Sequence, residues 1–261
     1  MKLSPRKALS VAKAREILTH LQIEEPDEIQ VERIAAYYGI ETREDDLEGM
    51  DGRIVRNAAG AIITVRSDIS FEPQKRFVIA HELGHFFLHP KTRQIETVTS
   101  SETSNWSEKQ EVEEYEANLF AAELLMPRAI FAPRLIEADP SLRFIETLSK
   151  DFQTTFTATA VQFVLTTAEE CALLSCANRT RLWGMKSPGF SFELLEEGYV
   201  HGHSCAAEVM KTRRPVRDSV EAGYWLRGFY HDTKSMIVED SRYFPTLGRS
   251  LSLLWINEDL G

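Results

Sequence analysis

Cysteine is scarce in this chain: Cys171, Cys176 and Cys205 are the only three in 261 residues. Three thiols cannot all pair, and their spacing fits neither a CxxC redox motif nor a four-cysteine zinc cage, so they are expected to be reduced and buried in a core. Long apolar runs are missing as well. No window approaches the roughly 18 unbroken apolar residues of a membrane-spanning helix. The basic N-terminus lacks a signal-peptide core, because Lys13, Arg15, Glu16 and His20 interrupt the apolar residues between Ala8 and Gln22. Nor is there a surplus of positive charge. Lys and Arg number 30 against 40 Asp and Glu, a formal net charge of −10, which argues against a chain built mainly to grip phosphate backbones. The composition, 43% hydrophobic and 27% charged, suits a folded protein of one large domain or two ordinary ones. A cytoplasmic protein with no membrane partner is expected.

Apolar residues at Ala8, Val11, Ala12, Ile17, Leu18 and Leu21 recur with helical spacing, and Pro26-Asp27 opens a second helix that Gly39 ends. Short β-type runs over 39–42, 52–55 and 61–65 follow, the last two joined through Asn57-Ala58-Ala59-Gly60, and predict a small antiparallel sheet. A helix over 71–88 is stopped by Pro90. The Ser- and Thr-rich stretch 92–107 has few apolar residues to bury and is expected to be a mobile surface loop. The longest periodic segment, 108–126, is closed by Pro127. Helices over 129–138, 141–152 and 157–167 come next, the last two meeting at Gln153-Thr154-Thr155 with helix-turn-helix spacing. Beyond 170 the pattern is mixed: a hairpin (172–176 with 181–185), a helix at 204–211 and strands at 235–239 and 250–256. The fold class is therefore α+β.

The sharpest chemical signal is His81-Glu82-Leu83-Gly84-His85, an HExxH motif inside the 71–88 helix. Residues i and i+4 share a helix face, so both imidazoles can meet one metal ion while Glu82 reaches the water beside it. With 7 His, independent draws from this composition give roughly 0.02 such motifs by chance. Phe77, Val78, Ala80, Leu83, Gly84, Phe87 and Leu88 make the helix largely apolar, so His81 and His85 need partners in the interior, and a metal is one. A catalytic zinc takes a third protein ligand and keeps one position open. The 108–126 helix offers Glu111, Glu113, Glu114 and Glu116. Glu114 shares the stripe of Ala117, Asn118, Ala121 and Leu125 and is the expected ligand, with Glu113 the runner-up. Glu116 falls on a more polar stripe with Phe120 and Glu123. Asn118, one turn beyond Glu114, is placed to orient a histidine. Two histidines and a carboxylate also suit Mn²⁺ or Fe²⁺, with zinc favoured by the motif.

The segments 77–89 (FVIAHELGHFFLH) and 114–127 (EYEANLFAAELLMP) together resemble the ImmA/IrrE family of bacterial metallopeptidases. The resemblance covers residues 8–135 well and 136–165 more weakly, and the motif shows no departure from the family's pattern. It implies a minimal zincin-like metallopeptidase domain over 1–130, a helical helix-turn-helix-like connector over 131–169, and a C-terminal α+β sensor-like domain of GAF type over 170–261. It also implies zinc held by His81, His85 and Glu114, Glu82 as general base, and a protein substrate, a helix-turn-helix repressor whose cleavage derepresses stress-response or mobile-element genes. The alternative reading is a DNA-binding or repressor-sequestering regulator with a non-catalytic metal site.

Other signals are weaker. His89 shares the face of His81 and His85, but its place before Pro90 predicts a solvent-facing helix cap. His201-Gly202-His203 has no acidic or cysteine neighbours and is given no role. The segment 157–167 contains no Lys or Arg and only Gln162 to read a base edge, so it is read as scaffold without direct nucleic-acid contact. The cluster Lys211, Arg213, Arg214 and Arg217 is expected to be a solvated turn.

Overall fold

The computed structural model describes residues 5–57, 60–89, 95–98, 112–136, 138–196, 198–229 and 234–257. The architecture is α+β, with two sheets in two units: Met1–Pro133 with Leu148–Thr159, and Arg134–Thr147 with Ala160–Gly261.

In the first unit, helix α1 (Pro5–His20) buries Ala14, Ile17 and Leu18, and α2 (Val31–Tyr37) buries Val31, Ile34 and Ala35. Gly39, at φ +72°, turns the chain from α2 into strand β1 (Ile40–Asp45), a left-handed step that costs a residue with a Cβ. Strands β2 (Gly52–Asn57), β3 (Gly60–Arg66) and β4 (Ile95–Val98) complete a sheet of order β1-β3-β2-β4. β2 runs antiparallel to both β3 and β4, but β1 is parallel to β3. The sheet is thus mixed, not the purely antiparallel one expected. The cause lies in the order: two successive reversals leave β1 and β3 pointing the same way. β3, whose Ile63 and Val65 are buried, takes a central place and brings them side by side. β4 is a second correction, since it falls inside the stretch read as a surface loop. Its four residues are too few to register as a periodic run, and β2 supplies the pairing that sequence alone does not display. The rest of 92–107 and the turn residues 58 and 59 lie outside the described residues.

Helices α3 (Glu72–Leu88), α4 (Val112–Leu125) and α5 (Arg128–Phe131) follow. α4 is buried from Tyr115 through Leu125 on every side. Helices α6 (Leu142–Asp151) and α7 (Phe156–Thr166) meet at a turn in which Gln153 adopts φ 51° and the Thr154 and Thr159 hydroxyls lie 2.8 Å apart. Buried Arg76 of α3 fastens this turn, its guanidinium donating to the carbonyls of Phe152 and Gln153 and to that of Ile29.

The second unit is built on an antiparallel sheet of order β6-β5-β9-β8-β7, made of β5 (Cys171–Ala177), β6 (Thr180–Lys186), β7 (Val216–Glu221), β8 (Met236–Phe244) and β9 (Arg249–Trp255). Asn178 and Arg179, both at positive φ, make the two-residue turn between β5 and β6. Helix α8 (Cys205–Thr212) is capped by Ser204, whose hydroxyl accepts from the Ala207 amide, and ends at Arg213 in the left-handed region. Strand β7 has no counterpart in the sequence reading, because VRDSVE at a sheet edge keeps only Val220 buried and carries no apolar run. Arg217 of the basic cluster therefore sits on a strand, 3.9 Å from Asp240, and Arg213 lies over the Tyr243 ring. All three cysteines are free and buried. His201 stacks on Tyr224 at 3.9 Å between ring centroids. No described helix is long and apolar enough to cross a membrane.

Candidate metal centre

Helix α3 begins at Phe71, whose extended backbone precedes Glu72 and Pro73, an acid and a fixed φ that both suit a first turn. Two glycines set how closely its neighbours approach. A Cβ on Gly84 would stand 3.0 Å from the Ala117 Cα, so α3 and α4 touch backbone to backbone at the level of the HExxH motif. A Cβ on Gly52 would overlap Val78 Cγ1 and come within 3.3 Å of Glu82 Oε1, so the start of β2 lies against the turn carrying Glu82. At the other end of α3, Arg56 of β2 donates to the carbonyls of His85 (2.7 Å) and His89 (3.1 Å), satisfying acceptors that a helix end leaves open.

Between α3 and α4, His81 Nε2 and His85 Nε2 lie 2.9 Å apart. Glu114 reaches both, with Oε2 3.2 Å from His81 Nε2 and Oε1 3.3 Å from His85 Nε2. Among the described residues these three form the one group of His, Cys, Asp and Glu donors close enough to hold a metal ion. Both histidines are buried, and Glu82 is fully enclosed beside them. Asn118 Oδ1 stands 2.9 Å from His81 Nδ1. Glu113 is half-buried and not in the group, and Glu111 lies outside the described residues.

The outer nitrogens decide what the inner ones can do. An amide oxygen only accepts, so His81 Nδ1 carries the proton given to Asn118 and His81 Nε2 keeps a lone pair. His89 Nε2, 3.0 Å from Glu116 Oε2, donates to it, which leaves His89 Nδ1, 3.2 Å from His85 Nδ1, as the ring nitrogen able to accept. The proton in that contact is then that of His85, and His85 Nε2 also keeps a lone pair. Two lone pairs at 2.9 Å, with a carboxylate against both, repel unless a cation sits among them. This donor set, two neutral imidazoles and one carboxylate, fits a divalent ion such as zinc.

Electrostatics agree with that arrangement. Burial lowers the His81 imidazole below its ordinary value, against an opposing pull from Glu114, which favours the neutral form a metal needs. Burial alone would raise the Glu114 carboxyl, yet N–H groups or positive charge at the two imidazoles outweigh it and hold the group far below the usual carboxylate range; with neutral imidazoles that charge has to come from a bound cation.

His89 and Glu116 depart from the sequence reading. His89 does end α3, but its ring is buried instead of facing solvent, and Glu116 is buried against it instead of lying on a polar stripe. A polar stripe needs one wet side of α4, and the helix has none over 115–125. The signal that pointed to them was the series His81, His85 and His89, three histidines on one helical face.

Two histidines and a carboxylate from two packed helices, with a glutamate directly after the first histidine, are the donor pattern of HExxH metallopeptidases. Residues 35–163 match the Peptidase_M78 family model, described as the IrrE N-terminal-like domain, and this stretch of the chain is a domain of that kind. A Mycobacterium tuberculosis transcriptional regulator has a similar fold, with a TM-score of 0.62 at 14% identity over 94% of this chain and 75% of that one. At that identity the likeness is one of fold. No curated protein matches the sequence.

Proposed function

We propose that the protein is a zinc-dependent endopeptidase that cuts a helix-turn-helix transcriptional repressor and so derepresses stress-response or mobile-element genes in the cytoplasm. The observation that carries this reading is the convergence of His81 Nε2, His85 Nε2 and the Glu114 carboxylate at 2.9–3.3 Å, a donor set suited to a cation. The match of residues 35–163 to the Peptidase_M78 domain supports peptide hydrolysis, and the fold shared with a transcriptional regulator favours a substrate concerned with gene control.

In this reading His81, His85 and Glu114 hold the ion, with Mn²⁺ or Fe²⁺ as alternatives to zinc. Once bound, the ion supplies a Lewis acid that polarises the scissile carbonyl and acidifies water. Glu82 takes the proton of the attacking water and returns it to the leaving amide nitrogen, and its burial beside the ligands keeps bulk water from competing for that proton. Asn118 holds His81 with Nδ1–H outward. An extended substrate segment adds to an edge of the β1-β3-β2-β4 sheet. Residues 1–130 act as the peptidase, 131–169 as a helical connector and 170–261 as a sensor-like module of GAF type. Gln162, the one base reader in the 157–167 segment, is buried, which favours scaffold over DNA contact there.

The test incubates zinc-loaded protein with helix-turn-helix repressors of its host and reads the intact mass of each partner. A single cut that disappears in Glu82→Gln is expected, with zinc content unchanged. A stable complex with no cut in either sample would replace the peptidase with a sequestering protein, and a sequence-specific complex with bare DNA would favour a DNA-binding regulator.

A further inference from the structure

We propose that His89 and Glu116 are a positioning pair for His85, a role that rests on the reading of the centre as a metal site. Neither residue touches the converging Nε2 atoms, and both are buried at a helix end where a histidine before a proline would ordinarily be wet. A buried carboxylate is costly without a partner. Among the described residues Glu116 has Arg6 at 3.9 Å, on a largely exposed side chain, and His89 Nε2 as its close contact at 3.0 Å.

What this contact accomplishes is directional. Glu116 accepts from His89 Nε2–H; with His85 Nε2 turned to the ion, the His85 Nδ1–H points at His89 Nδ1, which accepts it. Without an acceptor at that point His85 is free to carry its proton on Nε2, aimed at Glu114 and His81, where it blocks the lone pair. Arg56 fixes the backbone of the same two histidines through their carbonyls, so the 3.2 Å contact between the rings is held from both sides. His81 receives the same service from Asn118 in a single step. The two ligand imidazoles therefore have their tautomers set by different devices, an amide for one and an imidazole–carboxylate relay for the other, and partners of this kind are worth roughly 10–100-fold in metal affinity.

Two substitutions separate orientation from packing. In His89→Asn the amide oxygen falls close to the position of Nδ1 and can still accept from His85, although volume is lost. In His89→Phe the ring is kept and the acceptor is lost. The full-length protein is tested for zinc affinity by chelator competition and for the visible absorption of bound Co²⁺, with thermal melting as a check of folding. The expected order is wild type, then His89→Asn within a few-fold, then His89→Phe weaker by about 10–100-fold with altered Co²⁺ bands. The reverse order, Phe above Asn, would show that His89 only fills space and would overturn the proposal while leaving the metal site intact. Zinc affinity lost equally in both folded variants would overturn it too. Should either variant fail to fold, Glu116→Leu gives an independent reading: it removes the acceptor of His89 Nε2–H, and unchanged affinity and spectrum there would also overturn the pair. A wild-type protein that binds neither ion would instead remove the metal reading on which the pair depends.

Discussion

Glu239 of the second unit is fully buried and Glu114 of the first mostly so, and the two carboxylates are treated in opposite ways. In the second unit Glu239 accepts from the amides of Cys205 and Ala206 at the start of α8, from Trp225 Nε1 and from the Ser241 hydroxyl. Four donors, two of them amides of a helix N-terminus, close around it, and the group serves as a strut between α8 and β8. In the first unit Glu114 is brought against two histidines whose protons are committed elsewhere, so acceptors outnumber donors. A buried polar group that is saturated belongs to the fold. One that is arranged to need something more belongs to a site.

The sharpest break in this comparison comes from exchanging the consequences. Glu114→Ala should weaken zinc binding by at least about a hundredfold, beyond what a supporting residue is worth. Chelator competition reads this, and the zinc-free protein should melt close to wild type, because the substitution removes a group that the fold does not use. Glu239→Leu should do the reverse. It leaves four buried donors without an acceptor and should lower unfolding free energy by roughly 3 kcal/mol in denaturant titrations, with zinc affinity within about twofold of wild type. Loss of zinc affinity in the Leu variant would mean that the strut also supports the metal site.

A smaller effect is pH-dependent. Burial raises the Glu239 carboxyl above its ordinary value of 4.5, and the four donors oppose the shift without cancelling it. A raised acid binds its proton more tightly when folded, so its contribution to stability is complete below the unfolded-state value and is lost as pH climbs through the folded-state one. The stability difference between wild type and Glu239→Gln should therefore narrow as pH rises from 4. A difference that widens would mean that the donors win over burial. Smaller still is the response of the thiols. Burial, with Glu239 adding to it, pushes Cys176 and Cys205 up to about 12, and Cys171 higher. Alkylation of the native protein at pH 8 should be slow at all three and become fast only in denaturant.

Much of the centre was legible in the sequence because it is local. An HExxH spacing places two imidazoles on one helix face whatever surrounds it, and a glutamate stripe on a second helix narrows the partner to Glu114. The helices of 5–20, 72–88 and 142–166 were legible for the same reason: their apolar periodicity is written within each segment. What was hidden depends on neighbours. β4 and β7 exist by pairing with β2 and β8, the direction of β1 relative to β3 depends on the strand order, and the roles of His89 and Glu116 depend on α4 having no wet face. Periodicity reports which side of an element is apolar and says nothing of a helix enclosed on all sides.

The most direct test of the account is the metal itself. Equilibrium dialysis against zinc, followed by elemental analysis of wild type and of His81→Ala/His85→Ala, should find one ion per wild-type chain and none in the double variant. Equal zinc in the two proteins, or none in wild type, would contradict the claim that the facing imidazoles and Glu114 form a metal centre.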